Sequence, residues 1–168
     1  MPTNVMKSIP IPKNLKMVLE LDLQIATQVP VPDKRLFKSW INNILEDRVQ
    51  NAELTIRIVD EEEGKNLNET WLKSKGATNV LSFPAGETSE INPDFLGDIV
   101  ICAPVLEKEA TEQGKSIEAH WAHMVIHGTL HLLGYDHTEE KGAELMESIE
   151  IKLLCNLGYA NPYEISSA

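Results

Sequence analysis

The chain has 168 residues, of which 42% are hydrophobic and 24% charged, proportions of one globular domain that exclude a disordered or fibrous polypeptide. No apolar run reaches the roughly 20 residues that span a bilayer, and segment 1–16 is broken by Pro2, Pro10 and Pro12, so a soluble, cytoplasmic protein with a flexible N-terminal tail is expected. The net charge of −11 weighs against a nucleic-acid ligand, yet residues 1–75 hold equal numbers of acidic and basic side chains and all the excess acid lies in 76–168.

In chain order, Met17 to Ile25 alternates apolar and polar side chains, the period of a half-buried strand. Asp33 then stands as N-cap to a helix in which Leu36, Phe37, Trp40, Ile41, Ile44 and Leu45 recur at spacings of three and four. Ala52 to Val59 returns to period two, and the acid run from Asp60 to Glu63 starts a short helix that Gly76 should end. Asn79 to Phe83 and Asp98 to Cys102 read as short buried strands separated by a loop, Ala85 to Phe95. The remainder is helical: Ala103 to Gln113, stopped by Gly114; Ser116 to about Leu133, stopped by Gly134; and a last helix capped by Thr138 and stopped by Gly158. This order predicts an α+β domain, a small mixed sheet with helices packed on it. Cys102 and Cys155 lack the spacing of a zinc knot or a disulfide framework and read as reduced thiols.

All five histidines fall between positions 120 and 137. At about 100° per residue, His120, His127 and His131 lie within roughly 40° of one another on a helix, with His123 about 60° from His120. His127 and His131, at i and i+4, can aim their ring nitrogens at one point. Gly134 lets the chain turn so that His137 can fold back as a third ligand. Three neutral imidazoles leave one position of a tetrahedral Zn2+ for water, the arrangement of a catalytic site. A lone histidine on an apolar helix is ordinarily a satisfied core residue, so His120 and His123 read rather as hydrogen-bond partners or core polar residues. The ligand intervals resemble the metzincin zinc-peptidase signature, but Gly128 stands where that signature requires its glutamate base. Phosphodiester hydrolysis depends less on such a base.

The run HWAHMVIHGTLHLLGYDH (His120 to His137), together with ATNVLSFP (Ala77 to Pro84), LGDIVIC (Leu96 to Cys102) and LGYANPY (Leu157 to Tyr163), closely resembles the YbeY endoribonucleases over about residues 17–163. The resemblance implies a sheet of about four strands with about five surrounding helices, and a metal site on a helix of the C-terminal half and the turn after it. It implies one Zn2+ on His127, His131 and His137 in a single endoribonuclease domain, 17–163, followed by a tail, 164–168. The implied substrate is single-stranded RNA, and the implied role is small-subunit (16S) rRNA 3′-end maturation and ribosome quality control. Ribosomal or small-subunit proteins would be partners; no DNA or membrane partner is expected. The chain departs from the family at a Tyr-Arg pair, where it has Trp71-Leu72 followed by Lys73. Leu72 cannot hold a phosphate, so Lys73 or Lys75 is the candidate stand-in, as a point charge without arginine's fork, with Lys73 the candidate site residue.

Thr78, Asn79 and Ser82 border a strand beside the site and either bind a nucleotide or cap the strand. Asp136 either orients a ligand imidazole or caps the following helix. Lys34, Arg35 and Lys38 read best as a solvated helix face. Two other functions fit the residues: a metallopeptidase-like hydrolase, and a noncatalytic ribosome-associated factor with a structural metal.

Overall fold

A computed structural model describes residues 17–86, 90–136 and 138–164. The expected tail 1–16, most of the expected tail 164–168, and His137 lie outside the described residues. The elements follow the expected order: β1 (Val18–Ala26), α1 (Lys34–Leu45), β2 (Asn51–Val59), α2 (Glu61–Leu67), β3 (Val80–Pro84), β4 (Phe95–Cys102), α3 (Ala103–Gln113), α4 (Ile117–Leu132) and α5 (Glu140–Asn156). The sheet order is β1-β2-β4-β3, with β1, β2 and β4 parallel and β3 antiparallel on β4. The expectation of a small mixed sheet under five helices is met.

Period-two patterning assigns the sheet's two faces. Leu54, Ile56 and Ile58 of β2 and Ile99 and Ile101 of β4 are buried in the main core with α1 and α4. Val59, Val100 and Cys102 join Leu81 of β3 in a smaller cluster on the opposite face, against which Leu67 of α2 packs. Asp33 caps α1 by accepting from the N–H of Arg35, and the helix buries Phe37, Trp40, Ile41, Ile44 and Leu45, the expected stripe. Phe37 meets Trp40 and Trp121 edge to face, at 5.5 and 5.8 Å between ring centroids, which locks α1 onto α4.

Helix α4 is buried nearly all round, with His120 to Ile126, Gly128 to Leu130 and Leu132 all buried. It is therefore the central helix, and its apolar content has no single outward face to lose. Ser116 caps it by accepting from the N–H of Ala119 at 3.1 Å. Gly134 adopts φ 100°, the left-handed bend expected after the helix.

Two boundaries differ from expectation. After α2 the chain makes a five-residue π turn, Asn68–Leu72, and ends at Lys73 with φ 56°, so Gly76 is not the stop. Helix α5 has Glu139 rather than Thr138 at its N-cap position, with no side-chain cap hydrogen bond. Thr138 is engaged one turn earlier, donating its N–H and hydroxyl to the Asp136 carboxylate at 3.1 and 3.0 Å, which closes a separate side-chain turn.

Candidate active site

Histidines 127 and 131 project from successive turns of α4, and the i, i+4 spacing brings their Nε2 atoms to 3.2 Å. Nδ1 of His127 lies 3.1 Å from Oε1 of Glu150 on α5. A carboxylate can only accept, so Nδ1 of His127 carries the proton and its Nε2 presents a lone pair to His131. Two ligand nitrogens of a tetrahedral zinc stand roughly 3.3 Å apart at ordinary Zn–N lengths, so the observed separation suits two donors on one cation. Among the described residues, no group of three His, Cys, Asp or Glu side chains is arranged to hold a metal ion. The expected third ligand, His137, is outside them.

Glu150 has no solvent exposure and collects three partners. His123 Nε2 is 3.1 Å from Oε1, His127 Nδ1 is at the same distance, and the Tyr163 hydroxyl donates to both oxygens at 2.9 and 3.0 Å. Burial pushes the carboxyl upward, but the hydrogen bonds from His123 and His127 outweigh it and hold the group at about 2. The Tyr163 phenol is driven well above its ordinary range by burial and by the adjacent Glu150 charge. The site is thus backed by an ionised, fully hydrogen-bonded carboxylate that fixes the orientation of His127.

Sequence reasoning missed Glu150. Its signal was present: Met146, Glu150 and Leu154 are the buried residues of α5, an i, i+4, i+8 stripe with a charge at its centre. His123 and His120 play the supporting parts expected of them. His120 Nε2 meets Glu109 Oε1 at 2.9 Å, and burial lowers the His120 pKa although Glu109 opposes the shift. The same carboxylate receives the Asn79 amide at 3.2 Å. Asn79 Oδ1 in turn accepts from the Val80 N–H at 2.7 Å, so this side chain caps β3. Ser82 donates to the Gly128 carbonyl at 3.0 Å, while Thr78 is partly exposed at the entry to β3.

Gly128 explains why a peptidase base has no place here. A β-carbon on it would lie 3.1 Å from Cγ2 of Ile99 and 3.2 Å from the Ser82 hydroxyl, so this position faces the sheet across a close helix contact. A glutamate there would enter the core. Lys73 is exposed on the turn after α2, held in its left-handed conformation. Lys34 and Arg35 are exposed on α1, Lys38 is partly so, and Arg35 pairs with its own helix cap Asp33 at 3.3 Å. No helix of the described residues is long and apolar enough to cross a membrane.

The family model for Endoribonuclease YbeY matches residues 23–158. The protein of that name from Pseudomonas syringae pv. tomato is 57% identical over 147 residues, covering 87% of this chain and 89% of the relative. The corresponding protein of Pseudomonas entomophila is 54% identical, covering 87% and 94%. Among solved structures, the solution structure of TM1509 from Thermotoga maritima superposes with a TM-score of 0.58 at 28% identity, covering 82% of this chain and 87% of that one. With the family match spanning residues 23–158 and more than half of the aligned positions identical to these relatives, the chain belongs to the YbeY family of endoribonucleases, enzymes that act on RNA.

Proposed function

We propose that the chain is a metal-dependent, single-strand-specific endoribonuclease that acts in 3′-end maturation of 16S rRNA and in ribosome quality control in the cytoplasm. His127, His131 and His137 hold one Zn2+ in this reading, within a single domain formed by residues 17–163. The observation that carries it is the 3.2 Å approach of the two Nε2 atoms, with the proton of His127 directed away from that point and onto Glu150. A bound dication lowers the pKa of a coordinated water and balances charge on a phosphoryl oxygen.

The chain's own residues account for the rest. Glu150 holds the His127 ring in one tautomer and one orientation, and Tyr163 and His123 hold Glu150. No side-chain base stands at Gly128, which favours phosphodiester over peptide substrates. Because the excess acid lies in 76–168, basic contacts to the RNA must come from the N-terminal half, Lys73 among them. Affinity for free RNA is then weak and salt-sensitive, and small-subunit proteins supply much of the specificity.

The test uses protein of verified metal content and its His131→Ala variant, each incubated with single-stranded RNA and with an unstructured polypeptide. RNA cleavage that disappears in the variant supports the reading. Peptide cleavage, or no cleavage despite full metal occupancy, sinks it.

A further inference from the structure

The chain has three tryptophans. Trp40 and Trp121 are each 1% exposed in the core, whereas Trp71 is 65% exposed, beside Leu72 at 53%. Isolated exposed apolar side chains are common, so exposure alone means little. The backbone under Trp71 is unusual. It lies in the π turn Asn68–Leu72, a rare conformation that is enriched at functional sites. The turn closes on Lys73 at φ 56°, the only positive φ outside glycine among the described residues, and a conformation that a β-carbon disfavours.

This conformation is held from beneath. Asn68, 4% exposed, donates its amide to the Gly76 carbonyl at 2.8 Å. The Glu69 carboxylate accepts from the Gly76 N–H at 3.1 Å. The turn is therefore a fixed platform, presenting an indole with two exposed ammonium groups, Lys73 and Lys75, close after it in the chain. In a chain of net charge −11, that pairing is complementary to a flat, uncharged ring between two phosphates. The following residues lead into β3, the edge strand whose Ser82 hydroxyl meets the carbonyl of Gly128, next to His127.

We propose that Trp71 is a base-stacking platform that positions a nucleotide of the single-stranded RNA substrate flanking the bond to be cut, with Lys73 and Lys75 meeting the adjoining phosphates. The proposal rests on RNA being the substrate. It makes Trp71 a positioning residue, and stacking of this kind tolerates any base.

The two buried tryptophans make Trp71 the reporter. A short 2′-O-methyl oligoadenylate, added to the full chain, is expected to quench tryptophan emission, and an oligomer of the same backbone without bases is not. Trp71→Leu should abolish the quench and weaken binding between about fivefold and a hundredfold. Trp71→Phe, which keeps an aromatic face, should restore affinity to within a few fold. On a cleavable strand, Trp71→Leu should raise KM more than it lowers kcat. Wild-type affinity in Trp71→Leu, equal binding of the baseless oligomer, or quenching by an unstructured polypeptide instead of RNA would overturn the proposal. Failure of the wild type to cleave RNA would instead count against the endoribonuclease reading itself.

Discussion

Nδ1 of His127 lies 3.1 Å from Oε1 of Glu150, a carboxylate with no exposure to solvent. The contact spans two helices and leaves Nε2 of His127 as the lone-pair face turned toward His131. Outer hydrogen-bond partners of this kind raise the basicity of a ligating imidazole and fix its angle, and losing one typically costs roughly 10- to 100-fold in metal affinity. Glu150→Gln keeps the shape but removes the charge, so it should weaken zinc binding by that factor, read by competition with a chromogenic chelator. Zinc affinity unchanged in the variant would remove Glu150 from the site's function and leave it a core residue.

The same carboxylate sets a pH dependence. Glu150 is held at about 2 in the folded chain against an ordinary 4.5, so its charged form is favoured by folding. By linkage, this contribution is complete above pH 4.5 and is lost as pH falls toward about 2. In chelator, where metal binding makes no difference, the urea midpoint of the wild type should exceed that of Glu150→Gln at neutral pH. The gap should close on acidification through that window. A gap independent of pH would mean that packing rather than charge distinguishes the two proteins.

Gly128 is open to a direct test of packing. An alanine β-carbon would sit 3.1 and 3.3 Å from two Ile99 carbons and 3.2 Å from the Ser82 hydroxyl. Alanine favours a helix by about 1 kcal/mol over glycine, but overpacking a well-filled contact costs about 1–3 kcal/mol. The net expectation for Gly128→Ala is a loss of about 1 kcal/mol, measured by denaturant unfolding with an unchanged m-value. Gly128→Glu, which would complete the peptidase signature, should unfold the domain at room temperature without conferring peptide cleavage.

What was legible in the sequence divides along physical lines. Helix α3 ran from Ala103 to Gln113 as read, because Gly114 in the left-handed conformation leaves little choice about where it stops. Strand periods and the His127/His131 pairing were readable for the same reason, since each depends on local spacing alone. The end of α2 is not legible because a lysine, not a glycine, takes the left-handed position. Thr138 reads as a cap because the competing turn with Asp136 has the same local chemistry. Glu150 and Tyr163 escaped because their partners lie on another helix. The charge in the Met146–Glu150–Leu154 stripe marks Glu150, and Tyr163 closes the LGYANPY segment, but neither trace says which partner the side chain meets.

Lys73 separates conformation from charge. Asparagine tolerates the left-handed region better than most residues, so Lys73→Asn should leave stability unchanged or raise it by up to about 1 kcal/mol. It also removes one exposed cation from the turn before β3. If Lys73 meets a phosphate, log affinity for single-stranded RNA should depend less steeply on log salt, the slope falling by about 0.7. Affinity at low salt should then drop while affinity at high salt changes little. Filter binding across a salt series gives both quantities from one data set. An unchanged slope with unchanged stability would mean that Lys73 faces water, and that Lys75 or the N-terminal half beyond this turn neutralises the RNA.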